Sequence, residues 1–266
     1  MQLYSIASGS SGNCIYVGTE TTHILVDAGI SCKRIREGVN QLDIDLSDLD
    51  GIFITHEHSD HIAGLKVLAK NYGIPIYSTP GTLNGIMNSK CVQVDMDESL
   101  LVPINADEKF VIKDITMHPL RVSHDANEPV AYRVYHGNKK LGIITDLGTY
   151  SDYTVASLQG MNMLFMEANH DVNMLQVGPY PYYLKQRILG NRGHLSNEAA
   201  GRMLCSLLHD KMEAVVLAHL SKENNMPELA YESVRLEVNM SDVPYTANDF
   251  PLYVAKRDTL SEMITL

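Results

Sequence analysis

The sequence predicts a layered α/β sandwich with its helices on the outside. Two observations lead there. Short apolar, β-branched runs come first, and helix-spaced segments then alternate with further apolar strands. That order favours sheets covered by helices rather than a bundle or an all-β sandwich. No low-complexity segment, long linker or repeat interrupts the pattern, so residues 1–266 read as a single domain.

Taken in order, NCIYVG (13–18) and HILVD (23–27) are strand-like, and SCKRIREGV is helical. DGIFIT (50–55) is a nearly continuous apolar strand. HIAGLKVLAKNYG then has apolar residues at 62, 65, 68 and 69, the spacing of a helix that stops at Gly73 ahead of Pro75. VAYRVYHGNKKLGIITD reads as a hairpin turning at His136–Lys139, with Asp146 at a strand end. MNMLFMEA is a buried strand, LSNEAAGRMLCSLLHD a helix, EAVVLAHL a strand, PELAYESVRLEV a helix and PLYVAK a closing strand.

The formal net charge is -11, which repels polyanions on average and argues against a broad basic face for nucleic acid. Bound cations would override that locally. Cys14, Cys32, Cys91 and Cys205 are scattered without a C-x-x-C pair and read as reduced thiols of a cytoplasmic protein. MQLYSIASGSSGNC has neither a basic nor an apolar leader region, and no apolar run approaches the ~20 residues that span a bilayer. No membrane partner is expected.

The strand DGIFIT delivers the chain into ITHEHSDHIAG, where His56, Glu57, His58, Ser59, Asp60 and His61 are consecutive. Three imidazoles and two carboxylates packed together and unpaired would be costly to desolvate, and a metal accounts for them. Beyond a strand tip, a tight loop aims His56 and His58 at one ion, while Asp60 and His61 reach a second position. The spacing is not that of the zincin motif H-E-x-x-H. His124, Asp146 and His219 each follow a strand and complete the set: His56, His58 and His124 for one ion, Asp60, His61 and His219 for the other, Asp146 bridging. Such donors suit zinc, manganese or iron. Two divalent ions ~3.5–4 Å apart hold a hydroxide between them and clamp an oxyanion. His23, His118, His136, His170 and His209 read as core or surface residues.

The series H-x-H-x-D-H, His, Asp, His resembles the metallo-β-lactamase superfamily. The resemblance implies a four-layer αββα sandwich, two mixed sheets with helices outside, and a dinuclear site at the sheet edges. SIASGSSGNCIYV, LVDAGISCKRI, THEHSDHIAGL and GNRGHLSNEAAGRML together resemble the YycJ/WalJ group of bacterial exonucleases, which implies DNA as substrate. GHLSNEAA also resembles the His-Ser/Thr motif of tRNase Z-type phosphodiesterases.

Ser196 is a good N-cap for the helix after it, and the amides of Asn197, Glu198 and Ala199 then form an anion site. Ser196 and Asn197 are therefore expected to bind substrate phosphate, with His194 protonating a leaving oxygen. Glu167, ending its strand, would orient His194 or line the pocket. The loop SGSSGN (8–13) is a tight turn or faces the substrate, which makes Ser11 and Asn13 further phosphate candidates. Asp60 has a second role open, orienting the hydroxide.

Rival chemistries share the metals. A secreted β-lactamase would carry an export signal, a β-CASP nuclease a large domain between Asp146 and His219, and a tRNase Z a protruding Gly/Pro-rich arm. A glyoxalase II-like thioester hydrolase keeps all seven ligands but has no evident need for the capped loop 193–200. A non-catalytic metal-binding sensor is the alternative of another class. The expectation is a cytoplasmic dinuclear phosphodiesterase, a DNA exonuclease favouring 5′ ends, that grips DNA or RNA through a few phosphates.

Overall fold

The computed structural model describes residues 1–92 and 96–266. The chain divides into two compact units. Met1–Arg121, Ala126–Val130 and Lys256–Leu266 form one, and Val122–Asp125 with Ala131–Ala255 form the other.

In chain order the strands are β1 (Gln2–Ala7), β2 (Cys14–Gly18), β3 (His23–Val26), β4 (Gly51–Phe53), β5 (Ile76–Ser78), β6 (Leu101–Pro103), β7 (Phe110–Ile112), β8 (Ile115–Arg121), β9 (Val130–His136), β10 (Lys139–Ile144), β11 (Met163–Glu167), β12 (Ala214–Ala218), β13 (Leu252–Val254) and β14 (Ile264–Thr265). Among the described residues they make two seven-stranded sheets, β14-β1-β2-β3-β4-β5-β6 and β13-β12-β11-β10-β9-β8-β7. Both are mixed: β1, β2 and β3 pair antiparallel and β3 to β6 parallel, while β9 and β10 pair antiparallel and β10 to β13 parallel. The α/β class expected from the sequence is what forms. Every residue of β2, β11 and β12 is buried, which is why these strands read as unbroken apolar runs rather than alternating ones.

Nine α-helices accompany the strands among the described residues: α1 (Cys32–Asn40), α2 (Ser59–Ile62), α3 (Leu65–Tyr72), α4 (Pro80–Asn88), α5 (Asp152–Leu158), α6 (Val172–Val177), α7 (Tyr182–Leu189), α8 (Asn197–Cys205) and α9 (Pro227–Met240). The helix expected after the histidine cluster is two, because the Gly64 amide donates to the Ala28 carbonyl and leaves the helical ladder. It still stops at Gly73, whose φ of 62° closes α3 in the left-handed region. The hairpin turns where expected, between His136 and Lys139. The helix read over LSNEAAGRMLCSLLHD is shorter, ending at Cys205 with Ser206 as its C-cap.

In the first unit, Tyr16, Leu25, Ile52 and Ile54 of the sheet region pack with Ile35 of α1 and Leu65 of α3 in one cluster of buried residues. That core sets the exits of β3 and β4 side by side. A Cβ on Gly29, just past β3, would meet the Asp60 carbonyl oxygen at 1.6 Å, so only glycine admits the histidine loop here.

Candidate metal centre

In the first unit, β4 hands the chain to Thr55 and His56 at the end of a buried run. Inside this loop the donor atoms already converge. His56 Nε2 lies 2.9 Å from His58 Nδ1, and His61 Nε2 lies 3.4 Å from Asp60 Oδ2. His56 and His61 are buried, whereas the Asp60 side chain is a quarter exposed. Glu57, the other carboxylate of the cluster, turns aside and accepts the Asn127 amide.

One buried residue organises these rings. Asp27 follows β3 with φ 62° and accepts the Thr55 amide, the Thr55 hydroxyl and the His61 Nδ1–H. Having given its own proton to Asp27, the Thr55 oxygen accepts from His56 Nδ1, 3.0 Å away. Both rings thereby have Nδ1 tied to a protein oxygen and Nε2 turned to the other donors of the loop, His58 Nδ1 and Asp60 Oδ2. Burial pushes the Asp27 carboxyl above its ordinary value, and His61 and Thr55 pull against it.

In the second unit, Asp146 follows β10 with φ 59° and His219 follows β12 with φ 55°. A left-handed backbone costs about 1–3 kcal/mol at a non-glycine residue and tends to persist where a site over-determines it. Asp146 Oδ1 is 3.4 Å from His219 Nε2 and 4.0 Å from His124 Nε2. His124 Nδ1 donates to the Gly193 carbonyl at 3.1 Å, and His219 Nδ1 to Glu167 Oε1 at 2.9 Å. The same division holds as in the first unit, Nδ1 on a protein oxygen and Nε2 turned to Asp146.

Glu167, the buried last residue of β11, also receives His194 Nδ1 at 2.8 Å and the amides of Asp146, Leu147 and Leu195. Burial alone would raise its carboxyl, but the two imidazoles outweigh that and hold it well below the usual range. Its oxygens are thus committed to orienting other groups, as expected for a partner of His194. Asp146, Glu167, His194 and His219 have donor atoms within 4.8 Å of one another.

The phosphate candidates fare less well. Ser196 caps α8, accepting the Ala199 amide at 3.2 Å, which leaves its own hydroxyl proton to give. Asn197 does not present itself as a phosphate ligand. Its amide donates to the His170 carbonyl, and its buried side chain pairs with Asn225 at 2.8 and 3.0 Å. Two of the three amides expected to be free are therefore occupied, that of Asn197 by the loop 168–171 and that of Ala199 by the Ser196 cap itself. Asn13 is likewise internal, its Oδ1 taking the Gly9 amide and its Nδ2 facing His61 Nε2 at 3.1 Å. Ser11 is exposed but donates to Asp258, a carboxylate that repels phosphate. Asn13 and Ser11 belong to the β1–β2 turn, the tight-turn reading of that loop.

Sequence reasoning missed Asp27, Thr55 and Asn225. A signal for Asp27 was present: VDAG after β3 repeats the form of TDLG after β10, an apolar strand ending in aspartate and a glycine two residues on. Among the described residues no helix is long and apolar enough to cross a membrane, and all four cysteines are free.

Comparison with known proteins places the chain in a family. The model of the β-lactamase superfamily domain matches residues 22–220. The chain is 42% identical over 237 residues to an exodeoxyribonuclease YycJ of Bacillus anthracis, with 86% of each chain covered. It is 39% identical over 262 residues to an exodeoxyribonuclease WalJ of Streptococcus pneumoniae, covering 98% of this chain and 96% of the relative. The crystal structure of the metallo-β-lactamase fold protein YhfI from Bacillus subtilis superposes with a TM-score of 0.71 at 16% identity, covering 98% of both chains. A domain match over most of the chain, and relatives this similar from end to end, leave one family for it: the chain belongs to the β-lactamase superfamily, beside the YycJ and WalJ proteins, and is a metal-dependent hydrolase of the metallo-β-lactamase fold.

Proposed function

We propose that the chain is a phosphodiesterase that removes nucleotides from DNA ends, 5′ ends first, with two divalent metal ions. His56, His58 and His124 would hold one ion and Asp60, His61 and His219 the other, with Asp146 shared. The observation that carries this is the hydrogen bonding of the imidazoles. In His56, His61, His124 and His219, Nδ1 is bonded to a protein oxygen, and Nε2 faces another donor of the cluster: His58 Nδ1 for His56, Asp60 Oδ2 for His61, and Asp146 Oδ1 for His124 and His219. Donors of this kind accept zinc, manganese or iron. When bound, the ions supply a nucleophile at neutral pH and positive charge for the phosphate oxygens.

The chain's own residues supply the rest. Glu167 grips His194 by Nδ1 and leaves Nε2 to protonate the departing 3′-oxygen. Asp60 orients the nucleophile. The Ser196 hydroxyl, accepting from Ala199, donates its proton to a neighbouring phosphate. The names of the YycJ and WalJ relatives support DNA as the substrate.

The test is digestion of linear and covalently closed circular duplex DNA by the metal-loaded protein, with His58→Ala as the control for contaminating nuclease. Release of mononucleotides or short products from linear DNA alone is expected. Equal cutting of the closed circle would remove the exonuclease reading. No cutting of either, with turnover of a glutathione thioester, would establish the thioester hydrolase instead.

A further inference from the structure

Asn225 lies in the loop between His219 and α9 and is 3% exposed. Its amide is fully engaged. Nδ2 donates to the carbonyls of Ala168 and Asn169, at 2.9 and 3.0 Å, and to Asn197 Oδ1 at 2.8 Å, so two hydrogens serve three acceptors. Oδ1 accepts the Met226 amide and Asn197 Nδ2, at 3.0 Å each. Asn197 is wholly buried, and the two side-chain amides face each other reciprocally. A hydrogen bond adds little net stability, because it replaces one to water. What a satisfied buried network supplies is a single arrangement, and a buried asparagine pair can fix register at a cost in stability.

The residue whose place depends on this pair is Ser196. His194 has anchors of its own: its amide donates to the Ile188 carbonyl at 3.0 Å, and its ring to Glu167 Oε1 at 2.8 Å. The Ser196 side chain has none outside its helix, since its hydroxyl oxygen accepts the Ala199 amide. Its backbone is held by an isolated parallel bridge to His170. The Asn169 amide on the Leu195 carbonyl and the Asn197 amide on the His170 carbonyl, at 2.9 Å each, flank that bridge. A slip of one residue along such a pairing turns a side chain to the opposite face. Asn225 blocks the slip, because one amide grips Ala168 and Asn169 on one side of the bridge and Asn197 on the other.

We propose that Asn225 is a positioning residue for the phosphate subsite: through Asn197 it holds the Ser196 hydroxyl on the face that grips the phosphate next to the scissile one. This rests on the phosphodiesterase reading above. The hydrogen bonds of the Asn225 side chain reach no metal donor and neither His194 nor Glu167. Its loss should therefore act through Ser196, and only on substrates that carry a second phosphate.

The test is a double-mutant cycle on the metal-loaded protein. It is read as kcat/KM on linear duplex DNA and on bis(4-nitrophenyl) phosphate, whose single phosphate has no neighbour for Ser196. Ser196→Ala and Asn225→Ala should each lower kcat/KM on DNA by ~10-fold, the scale of one hydrogen bond to a charged group. The two together should also lose ~10-fold, where independent effects would multiply to ~100-fold. Rates on bis(4-nitrophenyl) phosphate and metal content should match the parent's. Leu158→Ala, at a buried site on α5, is the control: its thermal midpoint should fall while both rates stay. If Asn225→Ala does not fold, Asn197→Ala takes its place in the cycle, removing the reciprocal pair and sparing the bonds to Ala168 and Asn169. Losses that multiply, or an equal loss on both esters, would overturn the inference and leave the nuclease reading standing. So would a Ser196→Ala protein that digests DNA as the parent does. A parent that does not cut DNA removes both.

Discussion

Glu167 receives five hydrogen bonds on two oxygens, three from amides and two from imidazoles. Glu167→Gln keeps the shape but sets an amide NH2 against at least one of those donors. It should lower the thermal midpoint, by about 1–3 kcal/mol of stability for the buried donor left unpaired. It should also reduce bound metal, because His219 loses its anchor. His194→Ala should behave differently: metal content unchanged, rate down ~10²–10⁴. That loss should shrink on a nitrophenyl phosphodiester, whose leaving group needs no proton. Metal analysis and rates on both substrates separate the two roles, and an equal loss on both esters would make His194 a positioning residue. At this scale the candidate donors were legible because His and Asp at strand ends have few other uses. Asp27 was not, since its link to His61 spans 34 positions and exists only once β3 and β4 are paired.

Among the elements, the β3 exit and the histidine loop are held together by Gly29. Gly29→Ala brings a Cβ against the Asp60 carbonyl and should cost several kcal/mol and most of the bound metal. Gly73→Ala, with open space around it but φ 62°, should cost only about 1 kcal/mol and leave metal content intact. Thermal unfolding with metal analysis checks both. Away from the centre, Asp114 ties the β2–β3 turn through Thr19 and Thr22. Slight burial pushes its carboxyl up, but those hydroxyls prevail and hold it down to about 2. Its contribution is therefore present above the ordinary aspartate range and lost as pH falls towards 2. Asp114→Asn should lower stability at neutral pH by less than about 1 kcal/mol, since the group is exposed, and by less still at pH 2, where the folded carboxyl is about half protonated. Chemical denaturation at the two pH values measures it. The longer elements were readable because their apolar periods have room to repeat. The three-residue strands β5, β6 and β7 were not, since so few residues carry no period and their pairing partners lie elsewhere in the chain.

For the molecule as a whole, a net charge of -11 limits how nucleic acid is held. Only local cations can counter it, so binding should involve a few phosphates. The expected salt slope is then about −0.9 per phosphate on duplex DNA, and affinity should fall by only on the order of tenfold between low and physiological salt. Anisotropy titrations across salt concentrations measure the slope, and a steep one would require a basic face the sequence does not contain. Fold class was evident from residue order, and so were the His and Asp residues whose donor atoms converge within each unit. The phosphate loop was read too generously, because the Asn197 amide is taken by the His170 carbonyl and its side chain by Asn225, which only packing brings to α8.

The hydrogen bonds from Asp27 have a consequence for the order of assembly. In many small metalloproteins the ion is the scaffold, and chelation unfolds them. Here Asp27 and Thr55 aim His56 and His61 from within the buried core, using contacts that require only protein atoms. Folding therefore comes before loading. Protein refolded in chelator should regain its native circular dichroism, then take up metal without a further change in it. The ion carried in the cell would then be chosen by supply and by the intrinsic ranking of metals for imidazole and carboxylate, and one folded chain could exchange its metal many times in its lifetime.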